Sequence, residues 1–212
     1  MSAPAPALTA PAPRGAKLVF TLALAGLLSG VAIVGIYEIT LPRITANKAE
    51  ALRRAVFEVL PGAQRMERME WQGSALVPVD TEGPEPAVYA AYDGDDHRLG
   101  FAIPAEGAGF QDNIKLIYGF DPVTRRIVGM RVLESRETPG LGDRIFKDPD
   151  FVAEFGSLAV DPEVHLVKGT GTGENEVDAI TGATISSKAV VKIVNTSNAT
   201  WLSRLPATEE GS

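Results

Sequence analysis

The stretch "NIKLIYGFDPVTRRIVGMRVLES", residues 113–135, decides the fold class of this chain. Its two halves, 113–120 and 126–135, are rich in Ile, Val, Leu and aromatic residues, which favour β-strands. The turn "DPVT" between them contains Asp121-Pro122, a pair with good turn chemistry. Two such runs joined by a short polar turn predict an antiparallel β-hairpin.

A second hairpin and two helices are predicted on either side of this stretch. Residues 87–92 ("AVYAAY") and 98–104 ("RLGFAIP") flank the turn "DGDD" and repeat the hairpin pattern. Residues 148–158 predict a short helix, and residues 187–205 predict a longer one whose apolar side chains recur at helical spacing. The sequence therefore predicts an α+β fold, an antiparallel sheet packed by helices, within a domain at 64–205.

Residues 18–37, "LVFTLALAGLLSGVAIVGIY", form an uncharged apolar run. Twenty residues in a helix span about 30 Å, the thickness of the hydrocarbon core of a bilayer. A cleaved signal peptide is the main alternative, but its apolar run is shorter and a small-residue cleavage site follows it, which "EITLPRITANKAE" does not provide. A buried core helix is the other alternative, but few soluble helices of this length are apolar all round. We expect a transmembrane anchor over 17–40, after a disordered Ala/Pro-rich tail over 1–16.

A juxtamembrane helix is predicted over 41–63, continuing beyond Pro42 and ending at "PGA". A short tail at 206–212 follows the domain. The positive-inside rule compares the basic residues before and after the apolar run, namely Arg14 and Lys17 against Arg43, Lys48, Arg53 and Arg54. Taken literally, the count keeps the domain in the cytoplasm, but long domains translocate despite such charges, so the orientation is undecided.

Composition excludes several classes of function. The 212 residues carry a net charge of −7, which argues against a nucleic-acid partner because phosphate binding needs a basic surface. The chain has no cysteine, which excludes disulfides and thiolate-held iron–sulfur clusters. His97 and His165 lie far apart in sequence, and no metal site is predicted. The glycine run at 168–176 matches neither a dinucleotide-binding nor a Walker A pattern.

The second strand of the central hairpin runs directly into "ESRETPGLGDR", residues 134–144. Pro139 fixes its own φ, and Gly140 and Gly142 permit a positive φ or a close approach. Such a turn exposes backbone N–H groups and can form an anion-binding concavity. An ordinary tight loop after a strand is the alternative.

Four hydroxyl side chains lie in "DAITGATISSK", residues 178–188. Ser186 or Ser187 can cap the helix predicted after them. Thr184 follows a small Gly-Ala pair and is therefore approachable, and a helix N-terminus beside it favours a phosphate group. No histidine or cysteine lies nearby to act as its base, so no catalytic residue is predicted and any reaction of Thr184 requires another protein.

Two motifs together resemble one known family. Residues 178–184, "DAITGAT", match the D-x-x-(S/T)-G-A-T pattern of FMN-binding domains that a dedicated flavin transferase modifies. The "ETPGLGD" stretch at 137–143 matches the second signature of the same family. Over residues 18–205 the arrangement resembles the G subunit of Rnf electron-transport complexes. The related C subunit of sodium-translocating NADH:quinone reductases is the alternative, and the "GLGDRIFKDPDF" continuation favours the Rnf family.

The resemblance implies that FMN is attached through a phosphoester bond to Thr184. Asp178 and Thr181 would complete the motif that the transferase recognises, with Thr181 also able to bond the flavin phosphate, and Gly182 and Ala183 would keep the approach open. The resemblance also places four residues of the upstream loop against the isoalloxazine ring or the ribityl chain: Glu137, Thr138, Gly140 and Leu141.

The implied function is an electron relay that does not turn over a substrate alone. The implied complex couples electron transfer between ferredoxin and NAD to movement of Na⁺ or H⁺, so its other subunits, the flavin transferase and the bacterial inner membrane are the expected partners. A covalent tether suits a domain outside the cytoplasm, which favours a periplasmic location. The alternatives are a stand-alone membrane-anchored flavin reductase, and an interaction subunit without flavin in which Thr184 only caps a helix.

Overall fold

The computed structural model describes residues 15–80, 86–169 and 171–206. The predicted tail at 1–16 lies outside the described residues except for its last two positions. The predicted tail at 206–212 lies outside them except for Pro206. The chain divides into two compact units, Met1–Ala49 and Glu50–Ser212.

The described part of the first unit is helical. Helix α1 spans Gly15–Val59, and Pro42 lies inside it without ending it. Its large apolar side chains between residues 18 and 39 are exposed. In the described part of the chain it is the one helix that is long and apolar enough to cross a membrane, with an 18-residue window of mean hydropathy 2.3. The predicted apolar N-terminal helix is therefore confirmed.

The second unit is built on a seven-stranded antiparallel sheet with the strand order β2-β1-β3-β4-β5-β6-β7. The strands are β1 (Arg65–Gln72), β2 (Ala75–Pro78), β3 (Ala87–Tyr92), β4 (Arg98–Ala108), β5 (Asn113–Asp121), β6 (Arg126–Glu134) and β7 (Leu158–Ala159). The pairs β3–β4 and β5–β6 are the two hairpins that the sequence predicts, with Ala90 opposite Phe101 and Tyr118 opposite Met130. The predicted antiparallel sheet is confirmed.

Both faces of the central strands of the sheet are buried. Along β5, Leu116 lies in one apolar cluster and Ile117 in another, because successive side chains of a strand point to opposite faces. Helix α4, Thr184–Trp201, completes the first cluster with residues such as Val194. The last turns of α1 complete the second, where Val56 is fully buried. Since each such side chain contributes about 1.5–3 kcal/mol on burial, α4 is held firmly against the sheet.

Short elements connect β6 to α4. They are α2 (Arg144–Lys147), α3 (Pro149–Ala153), a 3₁₀ turn (Glu154–Gly156), β7, and the parallel pair β8 (His165–Val167) and β9 (Glu176–Asp178). The short helix predicted at 148–158 is present as α3 and the 3₁₀ turn. The longer helix begins at Thr184 and ends at Trp201, three residues before the predicted start and four before the predicted end.

Candidate functional site

Three segments meet at one end of the sheet: the β4–β5 connection at 109–112, the loop after β6 at 135–143, and the start of α4. Because neighbouring strands are antiparallel, the end of β4, the start of β5 and the end of β6 lie together. The fold therefore brings the two sequence motifs next to each other.

Glu137 joins these three segments through its carboxylate. Its Oε1 accepts hydrogen bonds of 2.9 Å from the backbone N–H groups of Phe110 and Gln111. Its Oε2 accepts a 2.6 Å hydrogen bond from the Ser186 hydroxyl in the first turn of α4. Glu137 thus fastens the upstream loop both to the β4–β5 connection and to the helix.

The protonation state of Glu137 follows from these bonds. The residue is only 5% exposed, and burial on its own raises the pKa of a carboxyl group. The hydrogen bonds from Ser186, Gln111 and Phe110 outweigh burial, so the pKa of Glu137 lies below its ordinary value. The group is an ionised carboxylate whose two oxygens both accept hydrogen bonds. The contact between Glu137 and the flavin stays a prediction.

The "TPGLG" loop is a tight turn held by Asp143, whose Oδ1 accepts a 2.8 Å hydrogen bond from the N–H of Gly140. Gly140 has a φ of +78°, a conformation that glycine adopts without steric strain. A Cβ at Gly142 would lie 2.6 Å from Oε2 of Glu137, so the second glycine permits the close approach of that carboxylate. The turn leaves the Leu141 side chain 53% exposed.

The turn that leads into α4 is fixed by two side chains. Ser187 accepts a 3.2 Å hydrogen bond from the N–H of Ile180 and donates a 3.0 Å bond to the carbonyl of Ala183. Arg144, from α2, donates a 2.7 Å bond to the carbonyl of Thr181. Arg144 is absent from the predicted site because this contact joins two loops of the folded chain and leaves no local sequence signal.

The four hydroxyls of residues 178–188 have different surroundings. The Ser186 hydroxyl donates to the buried carboxylate, and the Ser187 hydroxyl donates to the carbonyl of Ala183. The cap position of α4 is Ala183, which makes no side-chain cap bond, so the prediction that Ser186 or Ser187 caps the helix was wrong. In the part of the chain that the structure describes, the hydroxyls of Thr181 and Thr184 have no hydrogen-bond partner.

A cavity of about 360 Å³ opens beside the start of α4. Three large apolar side chains around it are exposed, namely Phe110 (64%), Leu141 (53%) and Ile185 (61%). Gly182 has a φ of +86° and no atom within 4 Å of where a Cβ would lie, which leaves the approach to Thr184 open. Exposed apolar groups around a concave surface indicate a binding site.

The structure brings most of the predicted site residues together at this cavity. Those that line it are Thr138, Leu141, Gly182, Ala183 and Thr184, together with Phe110, Gly142, Ile185 and Ser186. Glu137 supports the wall through its hydrogen bonds, and Gly140 shapes the turn beside it. Asp178 lies in β9, where its Oδ1 accepts a 2.8 Å bond from the N–H of Gly171, and Thr181 is exposed beside the cavity without lining it.

Comparison with known proteins defines the class. Residues 109–198 match the family described as FMN-binding domain. The fold, the site and this match define an FMN-binding domain behind an N-terminal helix of membrane-spanning length.

The sequence relatives identify the particular family. The chain is 32% identical to the G subunit of the ion-translocating oxidoreductase complex of Methanosarcina acetivorans, over 82% of this chain and 88% of that relative. It is 31% identical to the protein of the same name from Shewanella baltica, over 86% of each chain. The chain belongs to the family of ion-translocating oxidoreductase complex G subunits, as its two motifs predict.

Two solved structures share the fold. Shewanella oneidensis NqrC superimposes with a TM-score of 0.60 at 15% identity, covering 74% of this chain and 97% of NqrC. The C subunit of the Na(+)-translocating NADH-quinone reductase from Parabacteroides distasonis superimposes with a TM-score of 0.59 at 21% identity, covering 77% and 98%. At these identities the likeness concerns the fold alone, and it confirms the predicted antiparallel sheet domain.

The residues of the cavity fit an FMN group. The exposed side chains of Phe110, Leu141 and Ile185 supply apolar surface for a flat aromatic ring. The Thr184 hydroxyl is available, and the free N–H groups at the start of α4 favour a phosphate beside it.

Proposed function

We propose that this chain is the electron-relay subunit of a membrane complex and carries FMN through a phosphoester bond to Thr184. The complex couples electron transfer between ferredoxin and NAD to translocation of Na⁺ or H⁺, and its other subunits are the partners. One observation carries the proposal: among the described residues the Thr184 hydroxyl has no hydrogen-bond partner, and it lies at an apolar cavity that both motifs line. The named relatives support a redox role.

A flavin transferase performs the attachment. No histidine and no carboxylate lines the apolar cavity, and within the described residues those on the other side of Thr184, His165 and Glu163, form no hydrogen bond with its hydroxyl and so do not act as its base. The Thr184 oxygen attacks the FMN phosphorus of FAD, and the bond from this phosphorus to the AMP phosphate oxygen breaks. AMP leaves, and the hydroxyl proton passes to the transferase. Asp178 and Thr181 complete the motif that the transferase recognises.

The chain's own residues orient the bound group. Leu141, Phe110 and Ile185 would hold the ring, Thr138 would hold the ribityl chain, and the N–H groups at the start of α4 would favour a phosphate on Thr184. FMN supplies one-electron and two-electron chemistry and can therefore connect donors and acceptors of different types.

Helix α1 anchors the chain in the bacterial inner membrane, and the flavin domain lies on the periplasmic side. A covalent bond suits that location, since FMN lost there is not easily replaced. The apolar segment of α1 contains no charged residue between 18 and 37, so the ion path belongs to partner subunits.

Flavin fluorescence of the denatured protein tests this proposal. We expect a fluorescent band on a denaturing gel when the full chain is co-expressed with its transferase. The band should disappear in Thr184→Ala, persist in part in Thr184→Ser, and persist in full in Thr196→Ala, a control threonine exposed on the same helix. Fluorescence that survives in Thr184→Ala would contradict the attachment site, and none in the wild type would contradict the flavin itself.

A further inference from the structure

A second groove lies on the other side of Thr184. It has a volume of about 750 Å³ and runs between α4 and the segment that contains β8. Thr184 lines both this groove and the apolar cavity, so the hydroxyl lies between the two. We call this second feature the α4–β8 groove.

Three lysines line the α4–β8 groove: Lys168, Lys188 and Lys192. None of them forms an ion pair with a described residue, whereas Lys115 and Lys147, the other lysines of the second unit, both have carboxylate partners. On a chain with a net charge of −7, a wall with three unneutralised cations attracts an anion.

Two of the three lysines, Lys168 and Lys188, lie at the Thr184 end of the groove, whereas Lys192 lies nearer the other end. The groove's lining carboxylate, Glu163, lies at the other end, because the side chain of Asn195 bonds both the N–H and the carbonyl of Val164 at 3.1 and 2.8 Å. Asn195 is about 16 Å along the helix from Thr184, at about 1.5 Å per residue. Lys168, by contrast, follows Val167, which pairs with Asp178 of β9, and β9 leads to the start of α4, so Lys168 lies at the Thr184 end.

Lys188 lies one helical turn after Thr184. Residues four apart lie on the same helix face and helical side chains lean toward the N-terminus, so Lys188, which lines the same groove, is within reach of a group on Thr184. Lys168 approaches from the opposite wall of the groove. An anion on Thr184 would therefore have cations on two sides.

We propose that Lys188 and Lys168 bind the phosphate of a phosphoester on Thr184, so that the flavin ring occupies the apolar cavity and the phosphate is neutralised from the α4–β8 groove. This assignment rests on the proposed function, because it concerns the residues that bind the phosphate of the flavin attached to Thr184. The phosphodiester has a single negative charge, and the lysines would otherwise repel one another in the unmodified chain.

Thermal unfolding of loaded and unloaded full-length protein in detergent tests the assignment. Loaded protein is made with the transferase and unloaded protein without it. At low salt, Lys188→Gln and Lys168→Gln should each lower the Tm of loaded protein by about 2–4 °C and leave the Tm of unloaded protein unchanged or raised. This decrease in Tm should be smaller in about 1 M salt, where ion pairs are screened. Lys192 lies about 12 Å from Thr184 along the same groove, so Lys192→Gln is the matched control. It should lower the Tm of loaded protein by less than half as much.

Each outcome decides the question. Equal shifts of loaded and unloaded protein, or equal effects of all three variants, would overturn the assignment. If Lys188→Gln prevents loading altogether, Lys188→Arg restores the charge; recovery of loading supports the assignment and continued failure overturns it. A wild-type chain that never acquires flavin contradicts the proposed function instead, so the two failures are distinguishable.

Discussion

At the residue scale, two hydroxyls two positions apart have different environments. Ser186 is buried and bonded to the Glu137 carboxylate, whereas Thr184 is partly exposed and its hydroxyl is unbonded within the described residues. The sequence predicted an approachable Thr184 because its preceding neighbours are small. It could not predict the partner of Ser186, since that bond joins residues 49 apart in the chain. The capping prediction failed because α4 begins at Thr184, with Ala183 as its cap, so both serines lie within the helix.

The Glu137 carboxylate gives a pH-dependent prediction. Glu137→Gln should lower the free energy of unfolding by about 1–3 kcal/mol at neutral pH, because a buried charged acceptor of three hydrogen bonds is lost. The pKa of Glu137 is lower in the folded state, so its stabilisation is complete above the ordinary value of 4.5 and is lost as the pH falls through the folded pKa. Thermal unfolding of both proteins from about pH 7 to about pH 3 measures this.

The matched control for Glu137 is Glu106→Gln, which removes an exposed carboxylate that pairs with Lys115 at 3.5 Å. An exposed pair contributes about 0–1 kcal/mol, so this variant should differ little from the wild type at any pH. A difference between wild type and Glu137→Gln that stays constant or grows on acidification would contradict the low pKa assigned to Glu137.

At the scale of elements, two glycines let the end of α1 approach the sheet. A Cβ at Gly119 in β5 would overlap the carbonyl of Val59, and one at Gly129 in β6 would lie 2.9 Å from the same oxygen. Gly119→Ala should therefore destabilise the second unit by about 1–3 kcal/mol, since the clash is with backbone that cannot change rotamer. Denaturant unfolding followed by tryptophan fluorescence measures the loss.

Gly156→Ala is the control for this substitution. Gly156 has no atom within 4 Å of where a Cβ would lie, and its φ is not positive. This variant should leave the free energy of unfolding within about 0.5 kcal/mol of the wild type. If Gly119→Ala is equally neutral, the close packing of α1 on the sheet is wrong.

The elements that the sequence predicted are those with strong local signals. Strands β3 to β6 combine β-branched and aromatic runs with recognisable turns, and their side chains are sorted between two buried faces. Strand β1, "RMERMEWQ", was not predicted. It lies near the edge of the sheet, where both of its faces are only half buried, so charged residues are tolerated at most of its positions. Strands β7 to β9 have only two or three residues each, too few for any periodicity.

The composition of the site was predictable in part. Thr138 and Leu141 belong to one short recognisable pattern and Gly182, Ala183 and Thr184 to another, and the fold brings both to one cavity. Phe110 and Ile185 belong to no such pattern. Phe110 lies in the β4–β5 connection, which is adjacent to the motifs only because of the strand order. Ile185 occupies an ordinary apolar position of a helix.

At the scale of the whole molecule, orientation in the membrane determines which partners the flavin meets. The basic residues flanking the apolar run do not determine it. We expect a reporter enzyme fused after Leu60 to be active if it functions only after export, as alkaline phosphatase does. A reporter that functions only in the cytoplasm should be inactive. The reverse result would place the flavin domain in the cytoplasm and contradict the periplasmic assignment.

Mass spectrometry of the mature chain tests most directly whether FMN is bonded to Thr184. Cleavage after Lys168 and Lys188 releases a peptide of residues 169–188, which contains Thr181, Thr184, Ser186 and Ser187. We expect this peptide to carry the mass of FMN less one water, and fragmentation to place the added mass on Thr184. An unmodified peptide from fully matured protein, or the added mass on Thr181, Ser186 or Ser187, would contradict the account.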